Sequence, residues 1–457
     1  MGTASKSFAL VLVALFLTSL VTVPSAISAD TKTIWTVQTV DNNAYGYGNG
    51  YSPIVLDSDN VPHIAYTNVR IEPNRFQTPL VMYASWNGKG WNSEQIAIGD
   101  AFSLLIDGNN NPHILYGGYS GHEGLIYASW TGKEWTNQTI DETFWNGYGS
   151  FALDSFGNPH IAYTSRYGEN GTYRLNYGSW TGSDWIIQTL DKSEDIPFRT
   201  SIAIDKNNVI YLMYGYTTKH YDSYGSYWES QTVKLAINEN SNWKTGSVVS
   251  NITNYSNMVL DSQNFPHFAY QVQVRGNPWT SNISYASWDG SGWNTQTVVS
   301  NVSLRVDFVN INMGGLALDA YGYPHIDYVT SNPNSDLCSV MYASWTGREW
   351  GIQTVDSAHI ANGPCYLSVD SNGNPHISYL ITPTGAGLPI YIASVMYATA
   401  TEPLPTTPTT NTDAFAIVAQ MLPIIATVVV LAVIMVSLVL YRRHRKPASF
   451  GSEASEI

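Results

Sequence analysis

The stretch Leu153-Asp154-Ser155-Phe156-Gly157-Asn158-Pro159-His160-Ile161-Ala162-Tyr163 decides the architecture, because the chain repeats it. A second clear copy runs Val369-Asp370-Ser371-Asn372-Gly373-Asn374-Pro375-His376-Ile377-Ser378-Tyr379. The aspartate recurs at Asp57, Asp107, Asp154, Asp205, Asp261, Asp319 and Asp370, with successive copies 47 to 58 residues apart. Self-similarity at such a period marks a unit that buries its apolar surface against copies of itself.

Each unit contains four strand-like segments. The first carries apolar residues three and one positions before the aspartate, as at Ile54/Leu56 and Phe151/Leu153, and period two is the strand signature. A turn of Asn, Ser and Gly follows the aspartate. The second segment opens on Pro-His, with proline at the strand start, where its missing N–H does least harm. The third is Tyr-Ala-Ser-Trp, as at Tyr83–Trp86 and Tyr342–Trp345. After a short Gly turn the fourth begins with Trp and continues Trp-x-x-Gln-Thr. Four-stranded antiparallel meanders repeated seven times predict an all-β, seven-bladed β-propeller.

The ends of the array support closure. The seventh repeat stops after its third strand, near Ala398, while an orphan Trp35-Thr36-Val37-Gln38-Thr39-Val40 precedes the first repeat. The N-terminal strand is therefore expected to complete the last blade. The Asp-Ser-x-Gly-Asn-Pro-His phrase resembles the Asp-box turn of sialidase-like extracellular propellers, with Pro-His standing where an Asp-box has its Trp. The resemblance spans residues 33–400 and implies the fold alone, since no sialidase-type arginine triad or Tyr/Glu pair can be placed on the chain.

Composition sets the outer bounds. Tyr and Trp are abundant, at 31 and 15, and the net charge of -14 argues against a nucleic-acid partner, since phosphate contacts need a basic surface. Residues 1–29 read as a signal peptide, with Lys6 before the apolar Phe8–Val23 run. Residues 30–400 form the ectodomain and 401–412 a Thr/Pro-rich stalk. Residues 413–441 form a transmembrane helix, long enough to span a bilayer, and 442–457 a short basic cytoplasmic tail. These segments predict a single-pass type I plasma-membrane protein with the propeller outside.

Residues that recur in every repeat build the blade. The seven aspartates are expected to cap their turns. Only Asp57 has a second carboxylate nearby, at Asp59, whereas calcium takes six to eight oxygens, so no cofactor is expected, with calcium at these turns as the alternative. The repeated histidines sit one per blade, too far apart to share an ion. Function is sought in what does not recur. The second-to-third loops and the links between blades vary in length and share one face, and loops on a rigid scaffold carry binding residues. The three tryptophans outside the repeat pattern, Trp145, Trp228 and Trp279, fall there, with Phe144, Tyr148, Tyr224, Arg70, Arg166 and Arg275. Aromatics beside charged groups suit sugar stacking or a protein anchor. The chain thus reads as a surface protein binding a glycan or protein partner. One alternative is a glycoside hydrolase or lyase with Asp222, Glu169, Asp307 or His220 as acid/base groups, and another a structural envelope protein without a ligand. Cys338 and Cys365 are expected to pair as a disulfide, with two free buried thiols as the alternative. Asn137, Asn170, Asn251, Asn254, Asn282 and Asn301 are candidate glycosylation sites.

Overall fold

The fold is seen in a computed structural model that describes residues 34–45, 51–71, 77–119, 124–143, 149–167, 172–193, 196–221, 227–239, 242–274, 280–303, 314–331, 337–361, 363–382 and 392–401. The expected signal peptide, membrane span and tail, and residues 402–412 of the stalk, lie outside them. The described secondary structure is strand throughout, and no described helix is long and apolar enough to cross a membrane.

The strands form antiparallel meanders arranged as a β-propeller. In one of them, Gly149–Leu153, Pro159–Tyr167, Thr172–Trp180 and Trp185–Ser193 pair in chain order. Register is fixed by Pro159 opposite Leu153, His160 opposite Ser179 and Trp180 opposite Trp185. Side-chain character follows the radial order. Second strands are buried on both faces, as in Pro112–Gly118, and so read as nearly continuous apolar runs. Fourth strands form the outer edges and expose most of their residues, as in Trp293–Ser303. Their Asn, Thr and Gln content leaves little apolar edge for foreign strands to pair with.

One expected break is absent. Trp91–Ile106 is a single 16-residue strand that serves as the fourth strand of one meander and the first of the next. Gly99 makes the passage possible. Its φ is +149°, and a Cβ there would run into the Gly117 carbonyl.

Each repeated aspartate holds three things together. Asp154 Oδ1 accepts the N–H groups of Phe156 and Asn158 at 2.9 and 2.8 Å. Its Oδ2 lies 3.5 Å from His160 Nε2, and His160 Nδ1 lies 2.5 Å from the Tyr177 hydroxyl. An ionised carboxylate only accepts, so Nε2 carries the proton and Nδ1 accepts from the tyrosine. The same placement recurs in Asp57–His63–Tyr83, Asp107–His113–Tyr127, Asp261–His267–Tyr285, Asp319–His325–Tyr342 and Asp370–His376–Tyr397, with Nε2 3.3 to 3.9 Å from the carboxylate and Nδ1 against the tyrosine hydroxyl. Asp205 belongs to the degenerate repeat. It caps its turn through Asn207 and Val209, with Ile210 following where other copies have Pro-His.

The relay continues across the joints. The Tyr177 ring meets Trp243 of the next meander edge-on, with centroids 5.1 Å apart. Tyr83–Trp135, Tyr127–Trp185, Tyr285–Trp350 and Tyr342–Trp35 repeat this contact. The turns are tied as well. Asn110, in the left-handed region at φ 63°, donates through Nδ2 to Ser58 Oγ at 2.8 Å and accepts from the Ser58 N–H.

The two ends of the array obey the same rules. Trp35–Tyr45 pairs with Ile392–Ala400 from Trp35 opposite Ala400 to Tyr45 opposite Ile392. Trp91 meets Tyr397 at 5.1 Å, and Asn60 Nδ2 donates to Ser371 Oγ at 2.9 Å. The first and last described strands thus share one packed joint.

Candidate binding site

The first strand of every repeat borders a central cavity of about 550 Å³. Its lining comes from residues one to six positions before each repeated aspartate, the half of each strand that adjoins the links between meanders. The walls nearest the aspartate are apolar and repetitive, including Val55, Leu105, Leu318 and Val369. The four-to-six-position end does not repeat. It presents Tyr51, Phe102, Arg199, Tyr255, Asn257 and Tyr366.

Two backbone irregularities lie at this end. The register slips between Ala101 and Ser103, leaving Phe102 as the bulged residue. A second slip lies between Phe198 and Thr200, leaving Arg199 bulged with φ 31°. Positive φ is uncommon in any residue but Gly or Asn, and bulges re-aim side chains and gather beside functional sites. Both re-aimed side chains line the cavity.

Around the mouth, Tyr51 packs edge-on against Phe102 at 5.8 Å and tilted against Tyr366 at 6.5 Å. This half-buried aromatic row crosses three repeats. Arg199 stands on another repeat and is latched to its neighbour. Its Nη1 donates to the Tyr255 carbonyl at 3.2 Å, and the Tyr255 hydroxyl donates to the Arg199 carbonyl at 2.7 Å. Tyr255 is fully buried, so the bulge is fixed from both sides.

Behind the wall lies a buried carboxyl. Asp327 replaces the usual Ala of Pro-His-Ile-Ala-Tyr and has no solvent exposure. The Gly315 N–H donates to its Oδ1, and the Cys365 thiol lies against it. Burial pushes the Asp327 carboxyl up to about 7, the Gly315 bond only partly opposing it. Burial, then the neighbouring carboxyl, raises the Cys365 thiol well above its usual range.

The sequence-predicted residues fall elsewhere or outside the described residues. Phe144, Trp145, Tyr148, Glu169, Asp222, Tyr224, Arg275, Trp279 and Asp307 lie outside them. Trp228 is in the strand Tyr227–Glu239 opposite His220, and Arg166 in Pro159–Tyr167 opposite Tyr173. Arg70 is exposed opposite Thr78. Arg70 is not among the described residues that line the cavity.

The Cys338–Cys365 disulfide is not formed, and both are buried free thiols. Cys338 heads a strand opposite Ser331 and His359, while Cys365 belongs to the cavity wall. Among the sequons, Asn137, Asn251 and Asn301 are exposed and Asn282 is half-buried. Asn254 is only 6 % exposed, so the folded chain leaves no room for a glycan there. Asn170 lies outside the described residues.

Tyr51, Phe102, Arg199 and Tyr366 are not among the sequence-predicted residues because they stand at the entry to first strands and not in the long loops. A usable signal existed. Aligned on the repeated aspartate, the position six residues earlier reads Tyr, Ala, Tyr, Arg, Tyr, Met, Pro, which picks out Tyr51 and Arg199 but not Phe102 and Tyr366, five and four residues before their aspartates.

Comparison with protein-family models and with curated proteins gives no match. Among solved structures, the chain is similar to an ulvan lyase described as a new family of polysaccharide lyase, at 12% identity and TM-score 0.51, over 80% of this chain and 95% of that one. The same lyase bound to "-[GlcA(1-4)Rha3S]-" gives the same figures. The β-propeller domain of the trilobed protease from Pyrococcus furiosus is similar at 9% identity and TM-score 0.43, over 78% of this chain and 99% of that one. At these identities the likeness is one of fold.

Proposed function

We propose that this protein is a surface-displayed glycan-binding propeller whose site is the non-repetitive mouth of the central cavity. In this reading seven blades close into one ring, completed by the N-terminal strand, with turns that are variants of the Asp-box. A cleaved signal, a Thr/Pro stalk and a single C-terminal span hold the propeller outside the plasma membrane. The observation that carries the proposal is the pair of bulges that place Phe102 and Arg199 at the non-repetitive end of the cavity. Register slips between third and fourth strands recur through the repeats and belong to the blade, whereas these two lie between a first and a second strand, beside the cavity. A tilted aromatic row with a cation on another wall suits a sugar, whose C–H faces stack on rings while its hydroxyls and charged substituents meet polar groups.

The enzymatic alternative uses the same mouth. It is favoured by the likeness to a polysaccharide lyase structure. The binding reading rests on the aromatic row and the arginine among the described lining residues, while the acid/base candidates Glu169, Asp222 and Asp307 lie outside the described residues.

The test is a glycan array probed with the full chain, followed by Phe102→Ala and Tyr51→Ala, and by Trp145→Ala, Trp228→Ala and Trp279→Ala. Loss of binding at least tenfold in the first pair alone is expected. Retention there with loss in the tryptophan variants moves the site to the loops. Appearance of new chain ends during incubation with the bound polysaccharide establishes the enzymatic reading instead.

A further inference from the structure

We infer that the sugar recognised at this mouth is acidic, with its carboxylate or sulfate received by Arg199. The inference rests on the glycan-binding reading above and adds the chemical class of ligand. Arg199 is the one charged side chain among the described lining residues. Its place is costly to maintain, since a bulged arginine at φ 31° is held by a fully buried tyrosine of the neighbouring repeat. A channel needing only polarity there could be served by Ser or Thr, which the cavity uses at Ser103, Ser150 and Thr200.

The latch also explains how the charge is presented. The Nη1 bond to the Tyr255 carbonyl anchors one end of the guanidinium beside the cavity, and the planar guanidinium is the group that best matches a carboxylate or sulfate. The lining mixes polar residues at the level of Arg199, including Thr200, Ser256 and Asn257, with apolar Ile202, Met258 and Leu316 nearer the aspartates. Protein walls of lower dielectric than water strengthen the attraction between the guanidinium and an anion. The molecule as a whole carries net charge -14, so nonspecific attraction of polyanions is disfavoured. Acidic chains would be selected at this point and not over the general surface.

The experiment compares oligo-uronates with the same chains after carboxyl reduction, by titration calorimetry on the full chain. Wild type is expected to favour the acidic form by about ten- to a hundredfold, the range for hydrogen bonds to charged groups. In Arg199→Gln that preference is expected to vanish while binding of the reduced chains persists. Arg199→Lys should keep part of the preference. Equal affinity of wild type for both forms overturns the inference but leaves the glycan reading standing. A preference that survives in Arg199→Gln overturns the inference too. Binding of neither form removes both the inference and the reading beneath it. Should Arg199→Gln fail to fold, the wild-type comparison together with Arg199→Lys still decides.

Discussion

Asp327 shows how one substitution within a repeat changes the chemistry of a wall. Where sister repeats place Ala, Leu, Met or Ser, a carboxyl is sealed behind Gly314 and Gly315, and a Cβ at Gly314 would collide with it. Its folded value of about 7 lies above the ordinary 3.8. A group raised on folding contributes fully below its unfolded value, and the contribution is drawn down as pH rises until the buried carboxyl ionises. Asp327→Asn keeps the shape and the acceptor for Gly315 and cannot ionise. Its thermal midpoint relative to wild type is expected to climb between pH 4 and 7 and to level off above 7. Thermal melts of both proteins across that range provide the check, and a constant offset would remove the buried carboxyl as the cause.

At the scale of the element, the Asp–His–Tyr relay is the working part of the blade. Burial lowers His63, His113, His160, His267 and His376 below 6.5, and the nearby carboxylates only partly restore them. A base depressed on folding takes up protons mainly after unfolding, so stability holds above 6.5 and falls as pH drops through the folded values. The carboxylates act later with the same sign. Burial alone would raise Asp107, but its bonds from Asn111 and Asn109 hold it below 3.8. Melting temperature is therefore expected to fall between pH 7 and 5, and the slope to lessen when His160 is replaced by Phe. A flat profile over that interval would mean the relays do not govern acid stability. The relay was partly legible in sequence. The recurrence of His and Tyr marked them as structural, but their partnership was not readable, because the register His160 opposite Ser179 is what brings Tyr177 to the imidazole.

For the molecule as a whole, the joint between the first and last strands carries the main consequence. In the closed ring proposed above, Trp35–Tyr45 is as much an interior element as any other fourth strand. Paired prolines at Val37 and Gln38 remove ladder donors there. They are expected to lower the melting temperature at least as much as prolines at the equivalent Asn137 and Gln138, and to expose the edge of Ile392–Ala400 to association. Thermal unfolding and size-exclusion chromatography of the two variants test this, and a near-silent change at Val37 and Gln38 would argue for an open array. The sequence alone determined the repeat, its four strands, the turn chemistry and the pairing of Trp35–Val40 with the end of the array. Periodicity, proline placement and Gly or Asn at left-handed positions are local demands of the backbone that leave their mark residue by residue. Only the tertiary structure decided where the non-repetitive side chains converge. Phe102, Arg199 and Asp327 stand far apart in the chain, and the bulges that turn the first two inward are register slips between strands, set by pairing partners and not by the residues themselves.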